Sequence, residues 1–344
     1  MSGPPLPPDH WYRQGARPSL WTRAPAKINL SLEILGRRED GFHDLVSIAQ
    51  TVDLYDDVSI AAADERSVTL VDTAGRPVPV PFGEELVGKA WDLLERRYGM
   101  DDGGRVEVVK RIPIAAGLGG GSSDAAAFLR LARKWWGLPE TVLAEVAAEV
   151  GSDVSLFLRG GAVLMEGRGE RVEPLTSVSA AKSGGNEWAA LLYSPEIPTP
   201  EAKTATMYGA LRPTHFGDGA RAANLRATLE RGVPPTMDDV YNTFDAVADE
   251  VLTGLRPARR RLAELTRVVP VLAGAGPSLF IVGEEQGLAT AAAALNDGHD
   301  PGVRGHGNRA WLVRPMGRDP ATRVETLAPD ESIDPDDLPR DGLS

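Results

Sequence analysis

Residues 111–127 read RIPIAAGLGGGSSDAAA, in which a strand-like run passes through Pro113 into a glycine loop and directly into an alanine-rich helical segment. Few connections other than an anion cradle use that order of residues. Gly117, Gly119, Gly120 and Gly121 reach backbone angles closed to other residues and leave their N–H groups unobstructed. Ser122 and Ser123 place hydroxyls at the expected start of a helix over 122–136, where the helix dipole favours negative charge. Phosphate oxygens are the natural occupant. The loop lacks the Gly-Lys-[Ser/Thr] ending of Walker A, and Ser122 stands where the last glycine of Gly-x-Gly-x-x-Gly would fall. A plain strand–helix connection, capped by Ser122 or Ser123 with Asp124 in the first turn, is the competing reading. Four glycines and two serines within 117–123 exceed what capping needs.

Charge limits what else such a chain can bind. With 49 acidic against 37 basic residues the formal charge is -12, which argues against a surface that tracks a nucleic-acid backbone or an anionic membrane. A polyanion must therefore be met locally. Part of the excess sits in residues 317–344, where eight carboxylates face three arginines, giving -5 against -7 for the rest. That end reads as an acidic disordered tail, and the five prolines of residues 1–20 mark a disordered lead-in. The absence of cysteine excludes a disulfide framework, a thiolate nucleophile and a cysteine metal site, and the five histidines have no metal-ligand spacing. The apolar stretch 268–282 is too short to span a bilayer and is broken by Pro270, Gly274, Gly276 and Pro277.

The length of 344 residues predicts two domains. Apolar runs at 28–35, 45–53, 57–62 and 105–109 read as strands, and 84–98, 122–136 and 141–150 as helices. Strands and helices interleave without a regular βαβ period, which predicts an α+β fold with helices on a largely antiparallel or mixed sheet. The small, polar segment 177–187 predicts a boundary between a first domain over 21–176 and a second over 188–316. In the second, strands are expected at 188–194 and 310–315, with helices near 201–211, 221–231, 237–252, 256–267 and 284–296. A strand–glycine loop–strand unit is expected at 268–282.

Three further segments are ambiguous alone. In APAKINL, Lys27 opens an apolar strand and reads as a surface lysine whose stem covers its neighbours, with Asn29 on the same face. Asp153 in GSDVSLFL lies between a helix ending at Gly151 and an apolar, strand-like run, where an aspartate commonly forms a turn or cap. Gly274-Ala275-Gly276 in VLAGAGPSLFI fits a hairpin or strand–helix turn in a core.

Together these segments resemble the GHMP small-molecule kinase superfamily, and within it the 4-diphosphocytidyl-2-C-methyl-D-erythritol kinases. The resemblance covers most of residues 22–315. PIAAGLGGGSSDAAA carries the superfamily signature, while PAKINL, GRREDGFHDL and GSDVSLFL narrow the branch. It implies a two-domain fold with an N-terminal ATP-binding βαβ-type domain, a C-terminal α/β sandwich domain and a cleft between them. It also implies ATP and Mg²⁺ as cofactors, a small cytidine diphosphate substrate, no nucleic-acid or membrane partner, a monomer or homodimer, and a cytoplasmic location.

The resemblance further implies roles residue by residue. Lys27 and Asp153 match the catalytic pair. Pro113, Ile114, Ala115, Ala116, Gly117, Leu118, Gly119, Gly120, Gly121, Ser122 and Ser123 match the ATP-phosphate loop, with Ser123 a candidate Mg²⁺ ligand. Asn29, Phe42, His43, Thr199, Tyr208, Gly274, Ala275 and Gly276 match the substrate side, His43 reading the cytosine edge and Tyr208 stacking on the base. Phe42 replaces the family's tyrosine, Ser155 stands where proline is frequent, the 273–276 loop lacks the usual hydroxyls, and Thr243 replaces an acid after Asn242. The alternatives are another GHMP kinase, of mevalonate or homoserine type, or a non-catalytic nucleotide-binding protein.

Overall fold

A computed structural model describes residues 20–79, 85–100, 103–175, 188–297, 308–318 and 322–326. The described residues open with two long antiparallel strands, β1 (Leu20–Arg37) and β2 (His43–Ala61). They continue through β3 (Ser67–Val71), helix α1 (Leu86–Tyr98), β4 (Arg105–Val109) and the helices α2 (Gly120–Trp136), α3 (Glu140–Val150) and α4 (Val154–Arg159). Strands β5 (Ala162–Gly167) and β6 (Arg171–Pro174) close the first half. The second half contains β7 (Trp188–Ser194), α5 (Lys203–Ala210), α6 (Ala220–Glu230), β8 (Tyr241–Asn242), α7 (Asp245–Val251) and α8 (Leu255–Thr266). It ends with β9 (Val271–Leu272), β10 (Leu279–Glu284), α9 (Glu285–Asn296), β11 (Arg309–Val313) and β12 (Val324–Thr326).

The first sheet runs β12-β1-β2-β4-β3, with β5 and β6 continuing from another part of β2, and it mixes antiparallel with parallel pairs. The second is antiparallel, in the order β11-β7-β10-β9. This is the expected α+β architecture. Ala26, Ile28 and Leu30 of β1 join Ala190, Leu192 and Phe280 in a core shared by the two sheets. Helix α2 lies across the other side of β1 and β2, burying Ala125, Ala126, Ala127, Phe128 and Leu129. Its alanines allow close approach, while burial of Phe128 and Leu129 is worth about 1.5–3 kcal/mol each. Gly137 in the left-handed conformation ends the helix, its N–H returning to the Arg133 carbonyl.

Several sequence expectations are corrected. Strand β2 is continuous where two strands were expected, and 154–158 form the helix α4 rather than a strand. The helix expected over 237–252 shrinks to α7, because Tyr241 and Asn242 pair in parallel with Ser31 and Leu32 of β1. The acidic end is not wholly outside the fold, since Leu20–Thr22 of β1 pair with Val324–Thr326. The segment 177–187 lies outside the described residues, as do residues 1–19 and 327–344. Backbone hydrogen bonds nevertheless join the halves, as from Thr243 N to Leu32 O and from Met316 N to Thr51 O. Among the described residues, no helix is long and apolar enough to cross a membrane.

Candidate active site

Helix α2 starts at Gly120, two residues before the expected start, and its N-cap is Gly119 rather than a serine. Neither serine hydroxyl is spent on capping. The N–H groups of the first helical turn, which have no acceptor within the helix, therefore face outward. They border a cavity of about 260 Å³ whose wall includes Leu70, Glu85, Lys110, Ala115, Gly120 and Ser122. The wall includes most of the predicted loop, but Leu118 and Ser123 lie behind it, 1% and 0% exposed. Leu118 packs into the inter-sheet core while its carbonyl accepts from Lys27 N at 3.0 Å, pinning the loop to β1.

Alternation along β1 turns Lys27 and Asn29 away from Ala26 and Ile28, toward the helical side. Lys27 is buried, which overturns its surface reading. Its ammonium donates to Asn29 Oδ1 at 2.6 Å and lies 3.5 Å from Asp153 Oδ2. Asn29 Nδ2 in turn donates to Ser47 Oγ, which donates to Ser31 O, so one chain of hydrogen bonds fixes the lysine head. Asp153 occupies the N-cap position of α4 but makes no side-chain cap bond, and its side chain is 34% exposed. A carboxylate so placed is accessible to a proton and adjacent to a fixed cation.

The second glycine loop meets the first. Asn242 Nδ2 donates to the carbonyls of Leu272 and Gly274, while its Oδ1 accepts from Phe244 N. This holds Gly274 so close that an added Cβ would lie 2.8 Å from Gly117 O and 3.1 Å from Lys27 Nζ. Ser278 N donates to Ala116 O, and Lys203 bridges the carbonyls of Ala115 and Gly276. Lys203 was absent from the sequence expectations; it lies in α5, just after the exposed Thr199.

An aromatic group closes another side. His43 stacks on Tyr208 with ring centroids 4.7 Å apart, and Phe216 meets His43 edge-on. Burial first, and then Arg37, push the His43 imidazole below its ordinary pKa, favouring the neutral ring with one donor and one acceptor. The Tyr208 hydroxyl is pushed up to about 12 by burial and by the Asp153 charge, which links the aromatic group to the carboxylate. Phe42 points elsewhere: it is 56% exposed and lies beneath the Arg168 guanidinium. Phe216 carried no signal beyond its place in a loop.

Sequence reading also missed a buried ionic cluster beneath the first loop. Lys110 donates to Asp56 and, at 2.6 Å, to Asp124. Asp56 also accepts from Ile112 N at 2.9 Å, fixing the strand's entry into the loop. Burial opposes the Lys110 charge, but Asp124 and Asp56 outweigh it and raise its pKa. Burial drives Asp124 well above the usual carboxylate range against the pull of Lys110.

Residues 85–161 match the family model described as GHMP kinases N terminal domain. A 4-diphosphocytidyl-2-C-methyl-D-erythritol kinase of Dehalococcoides mccartyi is 37% identical over 296 residues, covering 86% of this chain and 97% of the relative. The Thermotoga maritima enzyme of the same name is 36% identical over 67% of this chain and 82% of its own length. Among solved structures, a 4-(cytidine 5'-diphospho)-2C-methyl-D-erythritol kinase superposes with a TM-score of 0.67 at 30% identity, over 86% of this chain and 100% of its own. A homoserine kinase from Cytophaga hutchinsonii, at 16% identity and a TM-score of 0.61 over 90% of this chain and 96% of its own, shares the fold alone.

Proposed function

Because the chain belongs to the 4-diphosphocytidyl-2-C-methyl-D-erythritol kinase family of GHMP kinases, we propose that it transfers the γ-phosphoryl group of ATP to the 2-hydroxyl of 4-diphosphocytidyl-2-C-methyl-D-erythritol. The product is the 2-phosphate, an intermediate on the non-mevalonate route to isoprenoid precursors. The observation that carries this reading is the Lys27–Asp153 pair at 3.5 Å beside a glycine cradle. A cytoplasmic location, where ATP is plentiful, goes with it.

The acceptor is a tertiary alcohol and a weak nucleophile. Asp153 takes its proton as its oxygen forms the new bond to the γ-phosphorus, while the bond to the β,γ-bridging oxygen breaks and its electrons leave with ADP. Lys27, fixed by Asn29, neutralises charge on the transferring group. The loop amides and the first turn of α2 hold the ATP phosphates in line, so alignment and electrostatics carry catalysis. Gly274, Ala275 and Gly276 offer backbone N–H groups to the substrate diphosphate. His43 reads the cytosine edge, with Tyr208 and Phe216 packing on the base; Phe42 and Thr199 have peripheral roles.

Mg²⁺ in such sites takes phosphate oxygens plus one or two protein oxygens. Asp124 Oδ1 is a buried polar atom without a hydrogen-bond partner on a residue that borders the cavity, and it fits that demand for a hard oxygen donor, whereas Ser123 Oγ, also unpartnered, lies behind the wall. Asp124 would hold the ion, which when bound neutralises phosphate charge.

The reading is tested by coupled ADP-release assays with the cytidine diphosphate substrate against mevalonate and homoserine. Turnover of either of those alcohols without turnover of the cytidine compound would remove it. His43→Ala is expected to raise the substrate KM about tenfold or more, through one lost hydrogen bond and the ring contact, and to leave the ATP KM within about twofold. Gly117→Ala places a Cβ 2.0 Å from the Ala273 carbonyl oxygen at φ +84°. The strain costs about 1–3 kcal/mol. Thermal melting is expected to show that loss, and the ATP KM to rise about tenfold or more.

A further inference from the structure

Arg130 is a buried arginine that the proposed chemistry does not use. It lies in α2, only 8% exposed, and among the described residues it forms no ion pair with a carboxylate. Its Nη1 donates to Phe157 O and its Nη2 to Arg23 O, each at 2.9 Å, while Nε has no partner. Burial alone pulls its pKa down to about 10, so it stays charged at neutral pH. Sequestering such a cation is costly when only carbonyl oxygens receive it.

The positions of those two carbonyls suggest what the arginine does. Arg23 is four residues before Lys27 on β1, and Phe157 is four residues after Asp153, its N–H returning to the Asp153 carbonyl at 3.4 Å. The helix that carries Arg130 begins with the glycine cradle. One guanidinium therefore ties together the three elements that supply the lysine, the carboxylate and the phosphate loop. The Phe157 ring also sits where a Cβ on Gly119 would meet it at 2.8 Å, so α4 packs directly on the loop.

From this arrangement we infer that Arg130 is a positioning residue, which sets the Lys27–Asp153 separation by clamping α4 and β1 to α2. The inference rests on reading that pair as the reacting one. A displacement of about 1 Å in a catalytic group can cost on the order of 100-fold in rate. Without the clamp, α4 retains its packing but loses its anchor at the end opposite Asp153.

The test measures kcat, both KM values and the fraction of folded enzyme for Arg130→Met and Arg130→Lys, with Asp153→Asn alongside. Arg130→Met is expected to lower kcat about 10–100-fold, with both KM values within about threefold. Arg130→Lys, which keeps the charge and reaches one carbonyl, is expected to recover most of that loss. If Arg130→Met does not fold, Arg130→Lys alone decides, a several-fold lower kcat at unchanged KM supporting the clamp. An unchanged kcat per folded molecule, or a loss shared equally by kcat and KM, overturns the inference. Should Asp153→Asn remain active, the underlying reading of the pair fails instead, whatever Arg130 does.

Discussion

Asp153→Asn is expected to lower kcat by about 10²–10⁴-fold, the usual contribution of a positioned general base, while ATP still binds. The substitution keeps the shape of the side chain and removes its charge, and with it both the ability to accept a proton and the ion pair to Lys27. Three features make the test clean. The carboxylate does not cap α4, so no helix-end bond is lost. Lys27 keeps its 2.6 Å hydrogen bond to Asn29, so the cation stays in place. The proposed ATP cradle consists of loop amides and the start of α2, and Asp153 is not among the residues that line that cavity. Steady-state rates with calorimetric ATP titration separate the two effects. Activity near wild type would show that the proton goes elsewhere, and loss of ATP binding would show that Asp153 shapes the cradle.

Lys110→Met is expected to destabilise the protein by about 3–5 kcal/mol, the penalty for removing one member of a buried ion cluster. Methionine fills the lysine stem's volume, so the loss is one of charge rather than packing. Asp56 and Asp124 would then face each other in the interior without a cation, both at most 3% exposed. Because Asp56 also holds Ile112 N, the entry to the glycine loop should loosen, and the ATP KM should rise with the loss of stability. Urea unfolding gives the size of the effect. The double variant Lys110→Met/Asp124→Asn should regain part of it, since one orphaned charge has been removed, and the resulting cycle measures the coupling. A single variant as stable as the parent would mean that the cluster is not held by charge.

The glycine loop and the shared face of Lys27 and Asn29 were legible because each depends on local order: four glycines ahead of a helix, and period-two alternation along a strand. Asn242 was legible only through its family match; its grip on two carbonyls of the second loop is a contact across 30 and 32 residues. The ionic cluster left no local trace, because Lys110 lies 54 residues from Asp56 and 14 from Asp124. Buried acids also hid the continuity of β2: Asp56 and Asp57 interrupt its apolar pattern, and each is compensated by a cation from elsewhere. The VSLFL run was ambiguous for another reason. A short apolar segment satisfies strand and helix alike, and here the glycines on either side and the packing on α2 decided for one and a half turns of helix. Phe216 reaches His43 only through the fold of the 213–219 loop, which no periodicity marks.

The parallel pairing of Tyr241 and Asn242 with Ser31 and Leu32 bears on how such a protein can change over time. The same two residues extend a sheet begun more than 200 positions earlier and, through Asn242, shape the loop that meets the first glycine loop. The halves are thus poor units of exchange. A chimera that took its first half from one homologue and its second from another would have to match a strand edge, a core and a loop at once. If the ring cluster of His43, Tyr208 and Phe216 holds the acceptor as proposed, shifts of acceptor preference in this architecture are therefore easier to reach by altering such side chains around a retained scaffold than by recombining whole halves.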